Sequence, residues 1–234
     1  MQQNSLDNKK IYALGVSSFV TVLLYIIPFL HMLAYPFILL STLVHEMGHG
    51  VGALLMGGNF HSFKMWFDAS GVASISGNFG NFAKAFVAAA GLVGPAVVAA
   101  IFFIGSKSIR RSQFILGFFS LVLILSLIVV VRNLFGICFV SLLAIFCFYC
   151  SFGRLKSYSQ IVLSFFAIQL SLSVFSRSDY LFTQYAVTNM GVMPSDVEQM
   201  SQALILPYWF FGGLCAMFSL LVLIIGFKSL LKNK

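Results

Sequence analysis

Two histidines one helical turn apart, with a glutamate beside the first, are the residues best suited to do chemistry in this chain: His45-Glu46-Met47-Gly48-His49. On a helix, this spacing puts both imidazoles on one face, where they can share a metal ion. The glutamate between them can then activate a water held by that metal. Four histidines and two glutamates in 234 positions would produce the pattern by chance roughly once in two thousand such chains, so metal chemistry is the better explanation. Zinc is the metal that this donor set and spacing favour.

A catalytic zinc takes three protein ligands and a water. His45 and His49 supply two, and the third must come from His31, His61, Asp68, Asp179 or Asp196. Asp179 directly follows an apolar segment, on the membrane face that four further spans regain after the motif helix. A carboxylate there can project inward, and Asp179 is the expected third ligand. Asp196 shares the face but sits in a polar stretch that reads as solvated. Asp68 reads as a turn acid, His61 as a loop residue and His31 as interfacial. Asp196 and Asp68 stay open as alternatives.

The segments that must position these residues are apolar almost throughout. The chain is 60% hydrophobic and 9% charged, with a mean hydropathy of +0.99. Soluble domains carry about 25% charged residues, so an all-α polytopic membrane protein is expected, as a single integral membrane unit over 1–234. With about 20 apolar residues as the spanning length, six to seven transmembrane helices are legible. They run from about 11–27, 36–56 (the motif helix), 82–105, 114–131, 134–152, 160–175 and 205–227. Only Arg132-Asn133 separates the fourth from the fifth, so those two could form one broken hairpin. The first apolar run follows a polar start, lacks a small-residue cleavage pattern and continues toward the motif, so no cleavable signal is expected.

Two stretches do not span. Residues 57–81 mix polar and apolar positions after Gly57-Gly58, with Asp68 to Gly71 as a turn, and read as a small β-hairpin. Residues 177–203 hold half of the acids, and Ser195 followed by Glu198 three positions on marks a helix start. Gly48 and Gly52 have the small-xxx-small spacing that lets a neighbouring helix approach, and Gly50 is read the same way.

Charge excludes several classes. The net +8 reflects scarce acids rather than a basic stripe, so nucleic-acid binding is not expected. Lys and Arg sit mostly at segment ends, as lipid anchors. With seven spans, Lys107, Arg110, Arg111, Arg154, Lys156, Lys228, Lys232 and Lys234 gather on one side. The other side has Lys9, Lys10, Lys64, Lys84, Arg132 and Arg177, a small difference leaning toward an N-terminus outside. Cys147 and Cys150 lie in an apolar helix and read as small buried residues, not a redox pair. No paired interrupted segments suggest a transporter.

Three motifs resemble the site-2 protease family of intramembrane zinc metalloproteases, in its compact bacterial branch. Leu43 to Gly50, followed by Gly57-Gly58, looks like that family's active-site helix and its exit. Ala89-Ala90-Gly91-Leu92-Val93-Gly94-Pro95 is similar to the small-residue helix packed beside it. Pro194-Ser195-Asp196 to Trp209 looks like the segment before the last span. The resemblance implies hydrolysis of peptide bonds in or near transmembrane segments of membrane proteins, with zinc as cofactor, in a bacterial cytoplasmic membrane. It implies a hairpin over 59–77 that presents an edge strand to an unwound substrate. It also implies a third ligand from a Leu-Asp-Gly triplet. That triplet is absent here, and Ser178-Asp179-Tyr180-Leu181 is its positional substitute. The missing triplet motivates an alternative, a non-catalytic relative acting as regulator or chaperone. A zinc hydrolase of lipid-like substrates is another, since the metal-water chemistry is the same.

Overall fold

Long apolar runs in a bilayer can satisfy their backbone groups only within helices, and helices dominate this chain. The computed structural model describes residues 2–27, 31–176, 180–188 and 191–232. The helices are α1 Gln2–Ile26, α2 His31–Leu55, α3 Asn81–Gly105, α4 Ile109–Val129, α5 Leu134–Ser151, α6 Ser159–Ser176, α7 Asp196–Leu204 and α8 Tyr208–Leu231. Strands β1 Asn59–Met65 and β2 Gly71–Ser76 pair antiparallel between α2 and α3. Strands β3 Tyr185–Thr188 and β4 Gly191–Pro194 form a second hairpin ahead of α7.

Among the described residues, six helices are long and apolar enough to cross a membrane: α2, α3, α4, α5, α6 and α8. The apolar part of α1, Ile11–Leu24, is shorter. The motif helix also begins earlier than its sequence suggests. Pro36 lies inside α2 rather than at its start, five residues in, where its missing N–H forgoes the one bond that position 36 would give to the Met32 carbonyl. The stretch over 177–203 is not simply a loop, since β3, β4 and α7 fill much of it.

The break between α4 and α5 is a true turn. The Arg132 guanidinium donates to the carbonyls of Ile128, Val129 and Val131, satisfying the C-terminal end of α4. Asn133 pairs with the backbone of Met65 in β1, accepting from its N–H and donating to its carbonyl. Phe63 donates to the Val130 carbonyl at 2.7 Å and accepts from the Arg132 N–H at 3.0 Å. The first hairpin is therefore stitched to the α4–α5 turn along the outer edge of β1. On its other side α2 holds the hairpin's tip, with Thr42 Oγ1 donating to the Ala69 carbonyl and Tyr35 Oη to that of Phe67.

Packing places α3 at the centre. It lies against α2, α6, α7 and α8, and its buried face is mostly alanine and glycine. A Cβ on Gly48 would overlap the Ala90 carbonyl oxygen, and one on Gly52 would lie 2.8 Å from the Ala90 side chain, so α2 and α3 approach backbone to backbone. Gly50 instead makes room for the Phe60 ring of β1, not for a helix. One apolar core joins Leu40 and Val44 to Ala96, Phe102, Leu163 and Phe166. A second packs Leu39 and Leu43 on Phe63 and Met65 of the hairpin.

Candidate metal centre

Helix α2 carries His45, Glu46 and His49 in its second half, about 9–15 Å below its hairpin end at 1.5 Å per residue. The two Nε2 atoms lie 3.2 Å apart. His49 turns its Nδ1 to the Val87 carbonyl of α3 at 2.9 Å. A carbonyl only accepts, so Nδ1 carries a proton, and Nε2 is the ring nitrogen that faces His45 and a metal. Room for the ring comes from Gly91, where a Cβ would overlap the imidazole.

The third donor arrives from 150 residues away. Asp196 Oδ2 lies 3.2 Å from His45 Nε2, and Oδ1 lies 3.3 Å from His49 Nε2. These three residues form a group whose ligand atoms lie within 4.8 Å of one another. Ligand atoms on a tetrahedral zinc with bonds of 2.0–2.1 Å would be separated by about 3.3–3.4 Å, so the spacing fits. Oδ2 is buried and makes no hydrogen bond despite its short distance to His45. Three ligand atoms at this spacing, a ring nitrogen from each histidine and a carboxylate oxygen, are a donor set suited to a shared cation.

The local sequence explains how Asp196 is aimed. Ser195 caps α7: its Oγ accepts from the Glu198 N–H at 3.2 Å and donates to the Thr183 carbonyl at 2.5 Å. Asp196 follows in the first turn, where the helix dipole favours a carboxylate. Val197, Met200 and Ala203 share its buried side and pack against Ala85 and Ala88 of α3. Burial works against the charge of Asp196, but the two imidazoles, His49 foremost, outweigh it and hold the carboxyl below the usual carboxylate range.

Glu46 points to the hairpin side of the histidines and is 8% exposed. Its Oε2 accepts from the Ala73 N–H of β2 at 2.8 Å. That contact lies on the edge of β2 facing away from β1. The outer edge of β1 is already taken by residues 130–132, so β2 is the side of the sheet open toward the centre.

The other candidates are elsewhere. His61 Nε2 meets Ser76 Oγ at 2.6 Å on the exposed surface of the hairpin. Asp68 accepts from the N–H and hydroxyl of Ser70, as expected of a turn acid. His31 opens α2 at the end away from the centre. Asp179, the expected third ligand, lies outside the described residues. The carboxylate that meets both imidazoles is Asp196, which the polar composition around it made look solvated although it is only 4% exposed. The signal that marks it is the amphipathic period of α7, with Asp196, Val197, Met200 and Ala203 on one face.

Comparison with known proteins places the chain in a family. A family model described as Peptidase M50B-like matches residues 16–226, nearly the whole chain. The chain belongs to that family. It is thus a member of the site-2 protease group of membrane metallopeptidases, as the motifs suggested. Neither curated proteins nor solved structures yielded a match.

Proposed function

We propose that this chain is a zinc-dependent intramembrane protease that cleaves peptide bonds in or near transmembrane segments of membrane proteins. The observation that carries the reading is the convergence of His45, His49 and Asp196 beside Glu46, inside a helix apolar enough to span a bilayer. Three ligands from two helices leave a fourth position for water or substrate, as catalytic rather than structural zinc requires. When bound, zinc supplies Lewis acidity and a nucleophile at neutral pH. Glu46 acts as general base: a carboxylate oxygen takes a proton from the attacking water and delivers it to the leaving amine.

The Ala73 N–H orients Glu46 until substrate arrives. The open edge of β2 then offers backbone groups to an unwound substrate strand, which adds to the sheet beside the general base. Extended conformation matters here, because a peptide bond inside an intact helix is shielded by its own hydrogen bonds. The alternative of a non-catalytic relative is motivated by the absent Leu-Asp-Gly triplet, and the approach of Asp196 to both imidazoles supports the catalytic reading over it.

The test is cleavage of a transmembrane model peptide by the purified protein in proteoliposomes. Wild type is expected to cut it. Glu46→Gln is expected to lose cleavage while keeping one zinc per chain by elemental analysis. Undiminished cleavage by that variant would overturn the assignment, and turnover of a lipid ester but no peptide would move it to the lipid-hydrolase alternative.

A further inference from the structure

A flank of the motif helix beside the metal centre borders an apolar space. A cavity of about 790 Å³ runs between α2, α3, α4 and α8, and no charged side chain lines it. On α2 its wall includes Val44, Gly48, Val51 and Leu55, a stripe about a quarter to a third of a turn round the helix from His45 and His49. A second cavity of about 450 Å³ lies against Ile104 and Phe114, and its rim carries the exposed Arg110 and Arg111. Ile101 and Ile115 line both cavities, so the two form one groove with a basic mouth and an apolar body.

The mouth lies on the face of the protein away from the first hairpin. Antiparallel packing carries α3 from the hairpin to the turn at 105–109. Gln160 donates to the Ser106 carbonyl and Gln113 to that of Lys156, which fixes the α5–α6 turn beside it. Outside α1, the described basic residues on this face are Lys107, Arg110, Arg111, Arg154, Lys156, Lys228 and Lys232. Asp68, Asp196 and Glu198 belong to the hairpin and α7 at the other face, and Glu46 lies in α2 toward that end. Cations gathered at a membrane surface attract anionic lipid headgroups.

We propose that the groove holds one anionic phospholipid, with its phosphate on Arg110 and Arg111 and an acyl chain running between α3 and α4 to the flank of α2. The pairing of an apolar body with a two-arginine mouth favours a lipid over an apolar polypeptide helix, because a phospholipid joins an acyl chain to an anionic phosphate. A chain descending from Ile104 one leaflet deep, about 15 Å or ten helical residues, ends near Gly94. Gly94 packs on Val44 and Gly48, so the chain tip lies beside the motif. Charge selects the headgroup: the mouth offers two guanidinium groups, and the charged residues around it are cations.

The test uses the full chain, delipidated and returned to nanodiscs of phosphatidylcholine with phosphatidylglycerol, followed by native mass spectrometry on release. One phosphatidylglycerol retained per chain, in preference to phosphatidylcholine, is the expected result. R110Q/R111Q should weaken that preference by roughly thirtyfold, the weight of two surface cations. Val97→Trp, which fills the groove without changing charge, should displace the lipid while zinc content and helicity are kept. If Val97→Trp fails to fold, the exposed arginine pair still decides the matter. Equal retention of both lipids, or a preference unchanged in R110Q/R111Q, overturns the proposal, as does a polypeptide in the groove instead of lipid.

Discussion

The two long sides of α2 share a backbone and differ in almost everything else. One side carries His45, Glu46 and His49, each held by another element: His49 by the Val87 carbonyl of α3, Glu46 by the Ala73 N–H of β2, and both imidazoles by Asp196 of α7. The other side presents Val44, Val51 and Leu55 to an apolar groove, with Val51 about half exposed there. Polar groups in a bilayer must be satisfied by protein, so the reactive side is over-determined, while the apolar side needs only something greasy against it. Substitutions on the first side should therefore act through specific lost partners. Those on the second should act weakly, through packing.

The largest expected break is Glu46→Gln, which should lower turnover by about 10²–10⁴-fold with zinc retained, since it removes only the proton acceptor. Asp196→Asn comes next. It should reduce zinc content of the purified protein well below one per chain, whereas Asp179→Asn should leave zinc unchanged; zinc lost only in the latter would return the third ligand to Asp179. Gly91→Ala presses a methyl into the His49 ring and should weaken zinc binding by roughly 10–100-fold, measured by competition with a chelator. Thr42→Val frees the hairpin tip from α2 and should cost about 0.5–1.5 kcal/mol in unfolding free energy. Val51→Ala, on the groove side, should stay within about 0.5 kcal/mol and leave turnover unaltered. If Val51→Ala matched Gly91→Ala in its effect on zinc, the contrast between the two sides would fail.

Legibility in the sequence follows the range of the interaction. The motif, the spans, the first hairpin and the capped start of α7 all rest on residues within a few positions of one another, and each has its counterpart in the fold. The motif helix starts earlier than its sequence suggests because a proline near a helix start looks like a boundary, whereas α2 carries Pro36 in its second turn. The β3–β4 hairpin went unread because four-residue strands are too short to show an alternating pattern. Asp196 looked solvated because composition averages over both faces of α7, whereas only one face turns inward. The carboxylate that completes the centre is paired with histidines 147 and 151 residues earlier (196 less 49, and 196 less 45), and no local pattern encodes that meeting.

By itself the sequence determined that this is a membrane protein with two imidazoles and a carboxylate at the spacing of a zinc hydrolase, because helical periodicity and hydropathy are local properties. The tertiary structure decided which distant carboxylate joins them, which strand edge opens toward Glu46, and that a flank of the same helix faces a groove with arginines at its mouth. Those depend on how glycine and alanine faces let α2, α3 and α7 approach, and close packing between distant segments is settled only when the whole chain is folded.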